Sequence, residues 1–93
     1  MSVISPQTAT LANVASSASS VTLFAASASV KARTIYNDST AVLYVKFGAT
    51  ASATSYTVQL AAGDYYEFPQ PCYGGVVDGI WAAANGNARV TSW

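Results

Sequence analysis

The sequence predicts an all-β chain: an antiparallel β-sandwich, or a jelly-roll-like small barrel, with an extended N-terminal arm. Three observations carry this. Short runs of β-branched and aromatic residues recur from residue 21 to the end of the chain. Clusters of Gly, Pro, Asn, Asp and Ser separate them at short, regular intervals, as in sandwiches and barrels. The Ala-rich pieces, such as residues 25–28, are too short for more than one helical turn, and their Ser and Val neighbours oppose extension. Ninety-three residues fit one domain. The division read from composition is an arm over residues 1–20 and a sandwich over residues 21–93.

Residues 1–20 contain Pro6 and the tract Ser16-Ser17-Ala18-Ser19-Ser20, which argue against a regular core strand. Residues 8–14 suit a sheet edge, and Val3 and Ile4 supply apolar side chains for contact. The arm is therefore expected to lie on its own domain or on a neighbouring copy. Val21-Thr22-Leu23-Phe24 and Arg33-Thr34-Ile35-Tyr36 read as strands, with Asn37-Asp38-Ser39-Thr40 as the turn that follows. Residues 42–47 are apolar on both faces except for Lys46, the mark of a central strand. Residues 48–54 are a loop of small residues. Tyr56, Val58 and Leu60 then alternate with polar residues and should share one face.

Ala61-Ala62-Gly63-Asp64 is the next turn, followed by the strand Tyr65-Tyr66-Glu67-Phe68. Pro69 and Pro71 must leave the sheet, because proline has no N–H for a ladder. Gly74-Gly75 and Asp78-Gly79 punctuate the chain before Ile80-Trp81-Ala82-Ala83. Asn85-Gly86 between that run and Ala88-Arg89-Val90-Thr91 is a strong hairpin signal.

Composition points to a surface made for contact. Four Lys or Arg and four Asp or Glu are the whole charge inventory, net charge is zero, and Ala, Ser and Thr fill 39 positions. Soluble domains average about 25% charged residues; here the share is 9%. Little electrostatic repulsion keeps copies apart. A structural subunit or interaction module fits this better than a free enzyme. Lys31, Arg33, Lys46 and Arg89 are dispersed along the chain, whereas nucleic-acid binding wants clustered positive charge. No run approaches the ~20 apolar residues of a membrane-spanning helix. Ala26-Ser27-Ala28 mimics a signal-peptidase site, but no Lys or Arg precedes it, so a signal peptide is not expected.

Catalytic chemistry has few candidates. The absence of histidine removes every Ser-His and Cys-His arrangement and, with one cysteine, leaves no zinc ligand set; no cofactor is expected. Cys72 sits among prolines and glycines with no charged neighbour in sequence, which favours an inert thiol and a reducing compartment. Asp38, Asp64 and Asp78 adjoin Asn or Gly and read as turn formers. Asp64 and Glu67, three apart, point to opposite faces of an extended strand. Asn37-Asp38-Ser39 matches a glycosylation sequon, though a turn uses the same residue types. Aromatic residues carry more information. Tyr65 and Tyr66 cannot both face inward on one strand, and exposed aromatics mark protein interfaces or sugar platforms. Val3, Ile4, Tyr65, Tyr66 and Trp93 are the expected interface residues.

Three stretches carry a resemblance: Ile35-Tyr36-Asn37-Asp38-Ser39-Thr40 through Phe47-Gly48-Ala49-Thr50; Leu60-Ala61-Ala62-Gly63-Asp64-Tyr65-Tyr66-Glu67; and Gly79-Ile80-Trp81-Ala82-Ala83-Ala84-Asn85-Gly86. Residues 33–93 resemble small structural modules of tailed-bacteriophage virions, of the kind found as capsid decoration (cement) proteins and in tail or baseplate components. The shared motifs are turns and strand edges, and no binding residue is carried over by them. The resemblance implies a virion protein assembled in host cytoplasm that bridges and stabilises major capsid subunits. It further implies a homo-oligomer, with a trimer foremost, whose partners are the major capsid protein and itself. The alternative is a receptor-binding, glycan-binding or structural module of a tail fibre or baseplate.

Overall fold

A computed structural model describes residues 5–93, so Val3 and Ile4 lie outside the described residues. The described chain is all-β: β1 (Thr10–Ala15), β2 (Val21–Phe24), β3 (Arg33–Ser39), β4 (Leu43–Phe47), β5 (Val58–Leu60), β6 (Tyr65–Glu67), β7 (Val77–Trp81) and β8 (Gly86–Ser92). They form two antiparallel four-stranded sheets: sheet A in the order β1-β8-β3-β6 and sheet B in the order β2-β7-β4-β5.

The pairing has a simple rule. β1 pairs β8, β2 pairs β7, β3 pairs β6 and β4 pairs β5, as if one long antiparallel ribbon had been folded at the β4–β5 turn. Rolling that ribbon brings β3 beside β8 and β4 beside β7, which completes the sheets. This is the jelly-roll arrangement.

Alternation along the strands builds the core between the sheets. Ile35 (β3), Leu43 and Val45 (β4), Val77 and Trp81 (β7), and Ala88 and Val90 (β8) point inward and are buried. Each large side chain removed from water contributes roughly 1.5–3 kcal/mol. One end of the sandwich is aromatic. Phe47 stacks on Phe68 at 4.8 Å and on Tyr73 at 4.9 Å, while Phe24 meets Phe68 edge-on at 5.6 Å. Such geometries add about 0.5–1.5 kcal/mol per pair beyond area burial.

Several turn assignments require correction. β3 continues through Asn37 and Asp38 to Ser39, because both polar side chains find partners within the fold. Asn37 is wholly buried: its Nδ2 donates to the carbonyls of Ala41 (2.9 Å), Leu60 (3.1 Å) and Ala61 (3.1 Å). Its Oδ1 accepts from Ser39 Oγ and Trp81 Nε1. A wholly buried amide is closed to glycosylation in the folded state. Asp78-Gly79 lies inside β7, where a Cβ on Gly79 would come within 2.8 Å of Leu23 and 3.1 Å of Leu43; the glycine makes room for the core.

The Asn85-Gly86 turn does not close a hairpin. Gly86 adopts φ +88°, but the chain crosses there from β7 in sheet B to β8 in sheet A. Tyr56 departs from the face of Val58 and Leu60; it precedes β5 and packs on Tyr44 outside the core, with ring centroids 5.0 Å apart. Within the segment read as an arm, Thr10–Ala15 forms β1, an edge strand paired along its full length with the chain's own β8.

Candidate interaction surface

Register determines which side chains share the outward face of sheet A. Ala88 and Val90 point into the core, so Asn87, Arg89 and Thr91 of β8 point outward. Across the strands, Asn13, Arg89, Tyr36 and Tyr65 form one row. Leu11, Thr91, Thr34 and Glu67 form the next, and Ala15, Asn87 and Asp38 a third. Tyr36 and Tyr65 are directly paired across the β3–β6 ladder and both are exposed, Tyr65 to 59% and Tyr36 to 38%. Leu11 on the edge strand is exposed to 74%, high for a large apolar side chain.

Arg89 is the polar centre of this face. Its Nε donates to Asp38 Oδ2 at 2.8 Å, and Nη1 reaches Asn13 Oδ1 at 3.4 Å. Both members of the ion pair are solvent-exposed, so the pair contributes about 0–1 kcal/mol and mainly orders the surface. Trp93 follows β8 in register, exchanging backbone hydrogen bonds with Ala32. Continued alternation puts its ring on the outward side with Thr91 and Arg89. Tyr65 and Trp93, two of the five expected interface residues, are both exposed.

Tyr66 does not join them. It points inward, packs on Phe68 at 5.5 Å, and burial pushes its phenol up from the usual range. The strand offers one side of the Tyr-Tyr pair to each face, and Tyr66 takes the core side. Tyr36, Leu11 and Arg89 complete the surface and are absent from the expected set. Alternation against Ile35 and Val90 marks Tyr36 and Arg89 as outward residues; their proximity requires the β3–β8 register.

Two further chemical candidates, Arg33 and Cys72, lie near each other in the fold. Arg33, at 2% exposure, points away from this face. Its Nη1 donates to the carbonyls of Tyr73 and Gly75, both at 2.8 Å, and its Nη2 to Ala25 at 2.7 Å; among the described residues Nε has no partner. The guanidinium also lies 4.9 Å from the centre of the Phe24 ring. Desolvation lowers its pKa, opposed by the nearby Cys72 and Tyr73. Cys72 thus has a cation near it in the fold that its sequence neighbours did not supply. Burial nevertheless raises the thiol pKa, with Arg33 pulling it only partly back. A half-buried thiol with its proton retained is a poor nucleophile.

Beside β1 a cleft of about 280 Å³ opens between the sheets, lined by Thr10, Ala12, Leu23, Phe24 and Val90, among others. Among its described lining residues Arg33 is the sole ionisable group. Asp64 Oδ2 accepts from the Ala61 N–H at 2.9 Å, so that carboxylate does form a turn. Among the described residues no group of three or more His, Cys, Asp or Glu is placed to hold a metal ion.

No protein-family model, curated protein or solved structure matches this chain.

Proposed function

We propose that the chain is a virion structural protein that works by surface contact, as a capsid decoration protein bridging and stabilising major capsid subunits. The observation that carries this reading is the jelly-roll strand order on a chain with almost no charge. Jelly rolls recur in viral capsid domains, but also in lectins and cupins, so architecture alone does not select a role. The near-absence of charge and the virion-module resemblance of residues 33–93 favour the capsid. Its partners in this reading are the major capsid protein and further copies of itself, and its place is the virion.

One observation favours a second reading. The row of Tyr36, Tyr65 and Arg89, with Asp38 beside it, combines aromatic faces with hydrogen-bonding groups. A glycan- or receptor-binding module of a tail fibre or baseplate would use such a surface. Copy number separates the two. Quantitative mass spectrometry of purified particles should find this chain at a stoichiometry comparable to the major capsid protein. A few copies to a few dozen per particle would favour the tail, and absence from particles would overturn both readings.

A further inference from the structure

Among the described residues, β1 has one paired edge and one open edge. Ser16 donates its backbone N–H to Gly86 at 3.0 Å, continuing the β1–β8 register. The residues in step with Ser16, namely Thr10, Ala12 and Val14, therefore direct their backbone groups toward β8. Leu11, Asn13 and Ala15 direct theirs the other way. β1 is the terminal strand of sheet A, so these three N–H and three C=O groups face no strand among the described residues.

Natural edge strands are blunted by charge, proline or a bulge. β1, Thr-Leu-Ala-Asn-Val-Ala, has no charge and no proline, and its pairing with β8 runs without a register shift. Five of its six residues are exposed. We propose that this edge is a docking site for the same strand of a second copy. The two copies would pair antiparallel about a twofold axis at Asn13 and join two sheets A into one continuous eight-stranded sheet.

The register follows from the open groups. Centred on Asn13, the pairing sets Asn13 opposite its own copy and Leu11 opposite Ala15 of the other chain. Each is a pair that exchanges both backbone hydrogen bonds, so every outward N–H meets an outward C=O. On the solvent side Leu11 covers Ala15 of the other copy, and the two Asn13 amides meet at the axis. On the core side Ala12 lies opposite Val14. No charge opposes the approach along the strand, and the zero net charge of the chain leaves no long-range repulsion between copies. A twofold axis makes the same patch serve both partners. This inference stands on strand geometry and does not depend on a virion role.

The test is sedimentation of the full chain from roughly 10 µM to 1 mM, the range suited to an interface of one strand pair. A monomer–dimer equilibrium is expected. Asn13→Pro removes an outward N–H without touching the β8 ladder, and Leu11→Lys places charge at the edge. Each should weaken the dimer by at least about tenfold while circular dichroism stays native. In a Cys72→Ser background, Asn13→Cys should form a symmetric disulfide on mild oxidation, since paired Cα atoms lie about 5.5 Å apart. Leu11→Cys alone should not, because its copies would be more than about 10 Å apart. A monomer at every concentration would overturn the proposal. So would a trimer, a dimer indifferent to both edge variants, or crosslinking at Leu11 in preference to Asn13.

Discussion

Arg33 and Arg89 share a residue type and a sheet but have opposite energetic weight. Arg33 is buried and bonded to three carbonyls on the chain segments that pack at the aromatic end of the sandwich. Truncating it leaves those carbonyls without their donor and removes the contact with Phe24. Arg33→Ala should destabilise the fold by about 3 kcal/mol or more. Arg89→Ala breaks an exposed ion pair and a long exposed hydrogen bond to Asn13, and should cost under about 1 kcal/mol. Urea denaturation of the two variants beside the unmodified chain measures the difference directly. Equal effects would mean that the buried guanidinium contributes no more than a surface pair. At this scale sequence was a partial guide. It named Tyr65, Tyr66 and Trp93 together, of which Tyr66 packs inward, and it had no means of showing that Arg33 and Asn37 organise the interior, because their partners lie far along the chain.

Strand existence was legible from local chemistry; strand partnership was not. Val21–Phe24 is β2 as read, and the central apolar strand lies between β5 and β7. The prolines end β6 as expected. Misreadings concentrate where a turn-forming residue serves another purpose, as Asn37 does in bridging the sheets and Gly79 in admitting Leu23. The Asn85-Gly86 signal correctly marked a reversal, yet turn chemistry says nothing about which sheet receives the next strand. In this topology only β4 and β5 are both adjacent in sequence and paired, so local hairpin reasoning fails elsewhere by construction. Register, and with it the row of Tyr36, Tyr65 and Arg89, follows only once the long-range pairs are known. The element with the sharpest consequence is β7. Gly79→Val should overpack the space against Leu23 and Leu43 and cost about 1–3 kcal/mol, read as a lowered urea midpoint with an unchanged slope. An unchanged midpoint would show that the sheets can separate to accept the side chain.

As a whole the molecule is a two-layer sandwich with an apolar core, an aromatic-polar face on sheet A and a β1 edge that is uncharged and, among the described residues, unpaired. A structural subunit needs surfaces of this kind: broad, weakly charged and held rigid by strands. The proposed role rests on contact in place of chemistry, and binding to the particle tests it most directly. Purified protein would be titrated onto capsids lacking it, with bound stoichiometry and the temperature of capsid disruption measured together. Saturable binding at a fixed ratio to the major capsid protein, with a raised disruption temperature, is the expected result. No binding, or binding that leaves capsid stability unchanged, would contradict a decoration role.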